Sequence, residues 1–250
     1  MAGEQQYQQH LVIEKWKRKI EGIQQYPPID YKLIFNEAVR NLAHRTYSVL
    51  DIGTGAGRVI FENHLPDIYG KVVGIDIRPE MIALCRRNAE GIANLEFQAM
   101  DDRKMSFGEG SFDVVTSMFS PNDANEVYRV LNRGGYFIGL WSLKGDHREF
   151  TAAFPEAKKL WDRTFFETIL ERKKRLESAG FRVISNNVMK YKWIFKDEET
   201  FKEFYQKICF APVFDGRENM LRNIRRHIDG SIHITRVLGT TVARKLVDKS

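Results

Sequence analysis

At 250 residues with 43% hydrophobic side chains, the chain can bury a full core and has the composition of an ordinary globular protein. No run of eighteen apolar residues occurs, so no membrane-spanning helix is expected, and the polar start from Met1 to His10 does not read as a secretory signal; cytoplasmic residence is the simplest expectation. The net charge of +6 permits an anionic partner without demanding one, and the two cysteines, Cys85 and Cys209, match no metal spacing.

Residues 10–23 carry Ile13, Trp16, Ile20 and Ile23 at helical spacing and predict an amphipathic helix. The Tyr26-Pro-Pro-Ile-Asp30 segment breaks it. Asp30 then caps a second helix through about His44, with Leu33, Ile34, Ala38, Val39 and Leu42 facing inward. Five apolar runs follow at α/β spacing: Ser48–Ile52, Val72–Ile77, Leu95–Met100, Phe112–Met118 and Tyr136–Leu143. Helical patterns at Pro79–Asn88 and Asn125–Leu131 separate two pairs of them. Gly145-Asp-His-Arg-Glu-Phe150 opens a polar loop, and Ala152–Asp162 and Phe165–Ser178 read as helices. A strand begins at Phe181 and runs toward Phe195. Helices are expected over 197–208 and 217–228, and a last strand over Ser231–Val247. The fold class is α/β: a doubly wound, mostly parallel, seven-stranded sheet with helices on both faces. N-terminal helices (1–45) and a helical insertion (196–230) elaborate a core at 46–143 within a single domain. Basic clusters at Lys15 to Lys19, Arg172 to Arg175 and Arg222 to Arg226 read as solvated helix faces, with a nucleic-acid footprint as the alternative.

The chemistry concentrates at Val49-Leu-Asp-Ile-Gly-Thr-Gly-Ala-Gly-Arg58. An apolar strand carries an acid, Asp51, and feeds three glycines, Gly53, Gly55 and Gly57. Glycine serves where the backbone turns with positive φ or a ligand must touch the main chain. Nineteen residues beyond Gly57, a second apolar strand ends in Asp76, which can accept from both hydroxyls of a ribose. The dinucleotide fingerprint Gly-x-Gly-x-x-Gly is not met: the third glycine comes one residue early, and Arg58 stands where that pattern wants Gly or Ala. Leu95-Glu-Phe-Gln-Ala-Met-Asp-Asp102 is a third acid-ended strand. Phe112-Asp-Val-Val115 and Arg129-Val-Leu-Asn-Arg-Gly-Gly135 complete the set, the two glycines letting a helix stop and the chain turn into strand five.

These four landmarks in order resemble the class I (Rossmann-like) S-adenosylmethionine-dependent methyltransferases, of the type 11 kind, over residues 46–143. The resemblance implies S-adenosylmethionine (SAM) as cofactor and S-adenosylhomocysteine as product. It places Asp51 beside the methionine end of the donor and Asp76 on the ribose. Ile77 and Met81 would flank the adenine, Asp101 would accept from its amino group, and the backbone of Asp102 would meet a ring nitrogen. Ser117, near the end of strand four, completes the cofactor-binding set. Asp102 departs from the alanine common at its place, which leaves a backbone contact intact. Met81 also fits a plain core position.

Methyl transfer from a sulfonium is an in-line displacement and requires a base only for a nucleophile of high pKa. No catalytic residue is legible beyond His147, a weak candidate for a base near neutral pH that reads equally as a solvated loop histidine with Asp146 capping the next helix. Phe119-Ser-Pro-Asn-Asp123 lacks the second proline and the aromatic of the loops that methylate exocyclic amines. Aromatics over 193–214 (Trp193, Phe195, Phe201, Phe204, Tyr205, Phe210 and Phe214) suggest a partly apolar or planar small-molecule acceptor or, equally, the packing of the insertion. Expected partners are therefore a small molecule first, nucleic acid or protein as the alternative, and no membrane. A SAM-binding protein without transfer activity is the reading from a different class.

Overall fold

The computed structural model describes residues 22–155, 167–207 and 218–246. In chain order the elements are β1 (Ile23–Tyr26), α1 (Tyr31–Asn41), β2 (Ser48–Ile52), α2 (Arg58–Glu62), α3 (Leu65–Ile68), β3 (Lys71–Asp76), α4 (Pro79–Asn88), β4 (Leu95–Ala99), β5 (Phe112–Met118) and α5 (Ala124–Val130). There follow β6 (Leu131–Ser142), α6 (Arg148–Ala153), α7 (Ile169–Ser178), β7 (Phe181–Phe195), α8 (Glu198–Lys207), a 3-10 turn (Glu218–Asn223) and β8 (Ile232–Lys245). Among the described residues the strands form one sheet in the order β1-β7-β8-β6-β5-β2-β3-β4. The sheet has eight strands, one more than the sequence suggested. The extra strand is β1, antiparallel to β7 with Ile23 opposite Phe195. Its four residues, Ile-Gln-Gln-Tyr, are too few and too polar to announce a strand; pairing along the edge of β7 supplies the backbone partners that make it one. The helix expected over 10–23 otherwise lies outside the described residues.

Two compact units divide the chain. The larger holds Tyr31–Trp141, Ile169–Asn187 and the chain from Gly239 onward; the smaller holds the described parts of 1–30, 142–168 and 188–238. In the larger unit β2 pairs in parallel with β3 and β5, β3 with β4, and β5 with β6. Near-continuous Val, Ile and Leu in β2, β3 and β5 suit strands covered on both faces. Leu50, Ile52, Val73, Ile75, Val115, Phe137 and Trp141 pack on one face with Val127 and Val130 of α5 and Leu176 of α7. Asp113 fixes the register: its carboxylate accepts from the Ser48 N–H at 2.8 Å and from the Asn132 amide at 2.8 Å, joining the starts of β2, β5 and β6. Arg129 serves structure, pairing with Glu126 at 2.7 Å and donating to the carbonyls of Phe107 and Met105.

Several boundaries move. In α1 the buried pair is Phe35 and Val39, one turn apart, while Leu33 and Ile34 are exposed. Phe35 takes the core, and the phase of the helix follows it. α5 stops at Val130, and β6 already pairs at Leu131 with Phe112. The register then shifts, and Gly134, at φ 78°, lies in that stretch instead of closing the helix. In the smaller unit, α6 begins at Arg148, within the stretch expected to be a polar loop. The helix expected over 217–228 ends at Asn223. Asp229 and Gly230, at φ 83°, turn the chain so that Arg226 bridges to Ile232. Phe150, Phe154, Phe195, Phe201, Tyr205, Ile232 and Ile234 form this unit's own apolar core.

Candidate functional site

In the larger unit the three acids stand at the carboxyl ends of the adjacent strands β2, β3 and β4, the edge where parallel α/β sheets bind ligands. The glycine turn leaves β2 with Gly53, Gly55 and Gly57 all at positive φ (66°, 54° and 77°), a backbone that L side chains rarely adopt. A side chain on Gly53 would collide with Ser120, and one on Gly57 with Phe61. At Gly55 it would meet little: the nearest atom, a guanidinium nitrogen of Arg78, is 3.9 Å away. Gly55 thus presents open main chain. The turn is wired to β3 by Thr54 N–H on the Ile75 carbonyl and Gly55 N–H on the Asp76 carboxylate, both at 2.9 Å. The Cys85 thiol donates to the Gly55 carbonyl at 3.1 Å from α4.

Asp51 is 1% exposed. Its Oδ1 accepts from the Thr116 hydroxyl at 2.8 Å, Thr116 being its register partner on β5. Its Oδ2 is buried, with the Thr54 hydroxyl close enough to lower its pKa. Burial pushes the Asp51 carboxyl up to about 6, against the Thr116 and Thr54 hydroxyls and the nearby charge of Arg58, which pull it down. A buried carboxylate oxygen with spare capacity, beside a glycine turn with open main chain, fits a ligand group that donates hydrogen bonds and carries positive charge.

Asp76, 5% exposed, accepts from the N–H groups of Gly55 and Arg78 and from the Arg78 guanidinium. Burial alone would raise its pKa; the bonds from Arg78 and Gly55 hold it below the usual carboxylate range. Ile77 beside it is 63% exposed, and Met81 is half-buried while Ile82, Leu84 and Cys85 carry the core contact of α4. Asp101 follows β4 and is held by Arg103, whose guanidinium lies at 2.6 Å and whose bonds lower the carboxyl to about 2. The Asp102 side chain accepts from the Asp123 N–H at 3.0 Å and so joins the end of β4 to the start of α5. Ser117 is fully buried and donates to the Ser120 carbonyl at 3.2 Å, a local role. Sequence reasoning missed Thr116, which only strand pairing reveals, and the arginines two residues after Asp76 and Asp101. The repeated Asp-x-Arg was their signal.

His147 belongs to the smaller unit. It is buried, not solvated, and it occupies the N-cap position of α6 at φ 51°. Asp146 does not cap that helix; it accepts from Arg236 at 2.8 Å and from the Val237 N–H at 2.8 Å. His147 Nδ1 lies 2.5 Å from the Tyr205 hydroxyl. Burial, then the charge of Arg236, hold its pKa down to about 3. So weak a proton acceptor, already bonded to Tyr205, is poorly suited to act as a base. Phe195, Phe201 and Tyr205 are sealed in the unit's core, and Trp193 and Phe204 are half-buried against it. Phe210 and Phe214 lie outside the described residues.

A family model described as a methyltransferase domain matches residues 49–135, the stretch that holds the glycine turn and the three acids. Over these residues the chain matches the class I, Rossmann-like superfamily of SAM-dependent methyltransferases. Among relatives of this chain, a demethylmenaquinone methyltransferase of Lactococcus lactis is 26% identical over 182 residues, 66% of either chain. The protein-lysine N-methyltransferase EFM4 of Saccharomyces cerevisiae is 39% identical over 71 residues, 27% of this chain and 31% of that one. The chain thus spans just under two thirds of the first relative and about a third of the second. The crystal structure of the YcgJ protein from Bacillus subtilis shares the fold with a TM-score of 0.63 at 16% identity, covering 87% of this chain and 98% of that one. Among the described residues no helix is long and apolar enough to cross a membrane.

Proposed function

We propose that the chain transfers a methyl group from S-adenosylmethionine to a small-molecule acceptor. The observation that carries the reading is the buried carboxylate of Asp51 at the end of β2, beside the open main chain at Gly55. When bound, the donor supplies an electrophilic methyl on a positively charged sulfur. The chain's own residues bind and orient it. Asp51, ionised, accepts from the donor's ammonium, and Gly55 lets its body rest against the backbone. Asp76 accepts from the ribose, Ile77 and Met81 offer apolar surface to the adenine, and the β4 end at Asp101 and Asp102 meets the adenine edge. The catalytic contribution is orientation and exclusion of water, worth several orders of magnitude in such displacements. We assign no general base.

Calorimetric titration of SAM into the wild type and Asp76→Ala tests the donor assignment. A loss of at least about tenfold in affinity is expected from removing a charge-assisted pair of hydrogen bonds; unchanged affinity sinks the ribose role. Transfer of labelled methyl to a panel of quinols, phenols, amines and thiols then tests the acceptor class. A macromolecular acceptor is the second reading, supported by the net charge of +6 and the likeness to a protein-lysine methyltransferase. Label recovered in protein or RNA, with none in the small-molecule panel, would favour it. Tight donor binding without turnover on any acceptor would favour a binding protein.

A further inference from the structure

Two turns in the larger unit share one construction. Asp76 and Asp101 each accept the backbone N–H of the residue two positions on, at 3.0 and 2.9 Å. Each also takes that residue's guanidinium, from Arg78 or Arg103. They differ in what remains. The Asp101 side chain is 34% exposed, that of Asp76 only 5%. On Asp76, Oδ1 accepts from Arg78 N and Nε, both at 3.0 Å, while Oδ2 accepts from Gly55 N at 2.9 Å and Arg78 Nη2 at 3.2 Å. An ionised carboxylate has about four lone-pair positions. All are used.

Two of the four donors are backbone groups, fixed by the glycine turn and by the start of α4. The other two belong to one guanidinium, which gives one N–H to each oxygen. Two neighbouring ribose hydroxyls would make the same demand, one O–H to each oxygen. The ribose therefore cannot be added to Asp76 as it stands; it must replace something, and only the Arg78 side chain, half exposed to water, can withdraw.

We propose that the Arg78 guanidinium stands in for the ribose hydroxyls on Asp76, so that the donor binds by exchanging with it and Arg78 sets the affinity for donor and product. This rests on the donor assignment made above. The exchange makes each adenosine ligand give up part of its binding energy to break an ion pair. The same ion pair re-forms behind a departing product and favours its release.

Titration of S-adenosylhomocysteine into the full chain tests the exchange. Arg78→Ser is expected to bind it about three- to tenfold more tightly than wild type, the range of a partly exposed ion pair. The gain should vanish with the 2′,3′-dideoxy analogue of S-adenosylhomocysteine, which a merely structural role for Arg78 does not predict. Arg103→Ser should show no comparable gain, because Asp101 already faces water. Should Arg78→Ser fail to fold, Arg78→Lys, which keeps the charge and loses the fork, carries the test with an intermediate gain. Equal or weaker binding by the Arg78 variants overturns the exchange and leaves the donor assignment standing. No heat with any of the proteins, wild type included, overturns the donor assignment and this proposal with it.

Discussion

Asp51 shows how one residue sets stability against binding. Its carboxyl titrates at about 6 in the folded chain against an ordinary 3.8, chiefly because it is buried. A raised carboxylate means that the folded chain holds the proton more tightly than the unfolded chain. The ionised form therefore costs stability above about pH 6, and the cost is gone below 3.8. Asp51→Asn should stabilise the protein by up to about 3 kcal/mol at pH 7.5, with the gain gone at pH 3.5. Urea unfolding at the two pH values checks this; a variant no more stable at pH 7.5 refutes the account. If ionised Asp51 holds the donor's ammonium, affinity for S-adenosylhomocysteine should be level above pH 7 and decline as pH falls through about 6. A flat profile between pH 5 and 8 would count against that role. The glycines and acids of this site were legible because turns and strand ends leave a local residue signature. The Thr116 bond to Asp51 was not, because it joins residues brought together only by the pairing of β2 with β5.

Among the elements, β8 depends on a buried charge. Arg236 and Asp146 are 5% and 2% exposed, joined at 2.8 Å, with the Arg236 guanidinium 3.8 Å over the Trp193 ring. Removing one partner strands the other. Arg236→Met should cost about 3–5 kcal/mol in chemical denaturation, while Arg236→Met with Asp146→Leu should cost less. A double variant as unstable as the single one would show that the pair itself, rather than the orphaned charge, matters. Beside it His147, held at about 3, resists protonation in the folded chain. Its neutral form is the folded form, so stability is lost as pH drops from the ordinary 6.5 toward 3. None of this was visible in the polar loop that Gly145-Asp-His-Arg suggests, since burial of two adjacent ionisable residues is set by what covers them. The inner strands β2, β3 and β5, by contrast, were legible almost to the residue, because strands covered on both faces are largely apolar. β1 and the phase of α1 were not, because an edge strand borrows its partner and a short helix turns to bury whichever large side chain fits.

For the whole molecule, ligand binding should appear as stability. S-adenosylhomocysteine at a hundred times its Kd should add about 2.7 kcal/mol and raise the thermal midpoint by roughly 5–10 °C for a chain of this size. No shift at saturating concentration would contradict binding to the folded state. By itself the sequence determined the α/β class, the five parallel strands β2 to β6 in order, and the likeness to the superfamily, because apolar period, strand-end acids and glycine turns are local demands that the chain must write into consecutive residues. Only the tertiary structure decided which hydroxyl supports Asp51, that Arg78 fills Asp76, that His147 is sealed, and that an eighth strand joins the sheet. Those outcomes depend on groups far apart in sequence sharing one space, where burial and lone-pair count, not residue type, fix what each side chain can do.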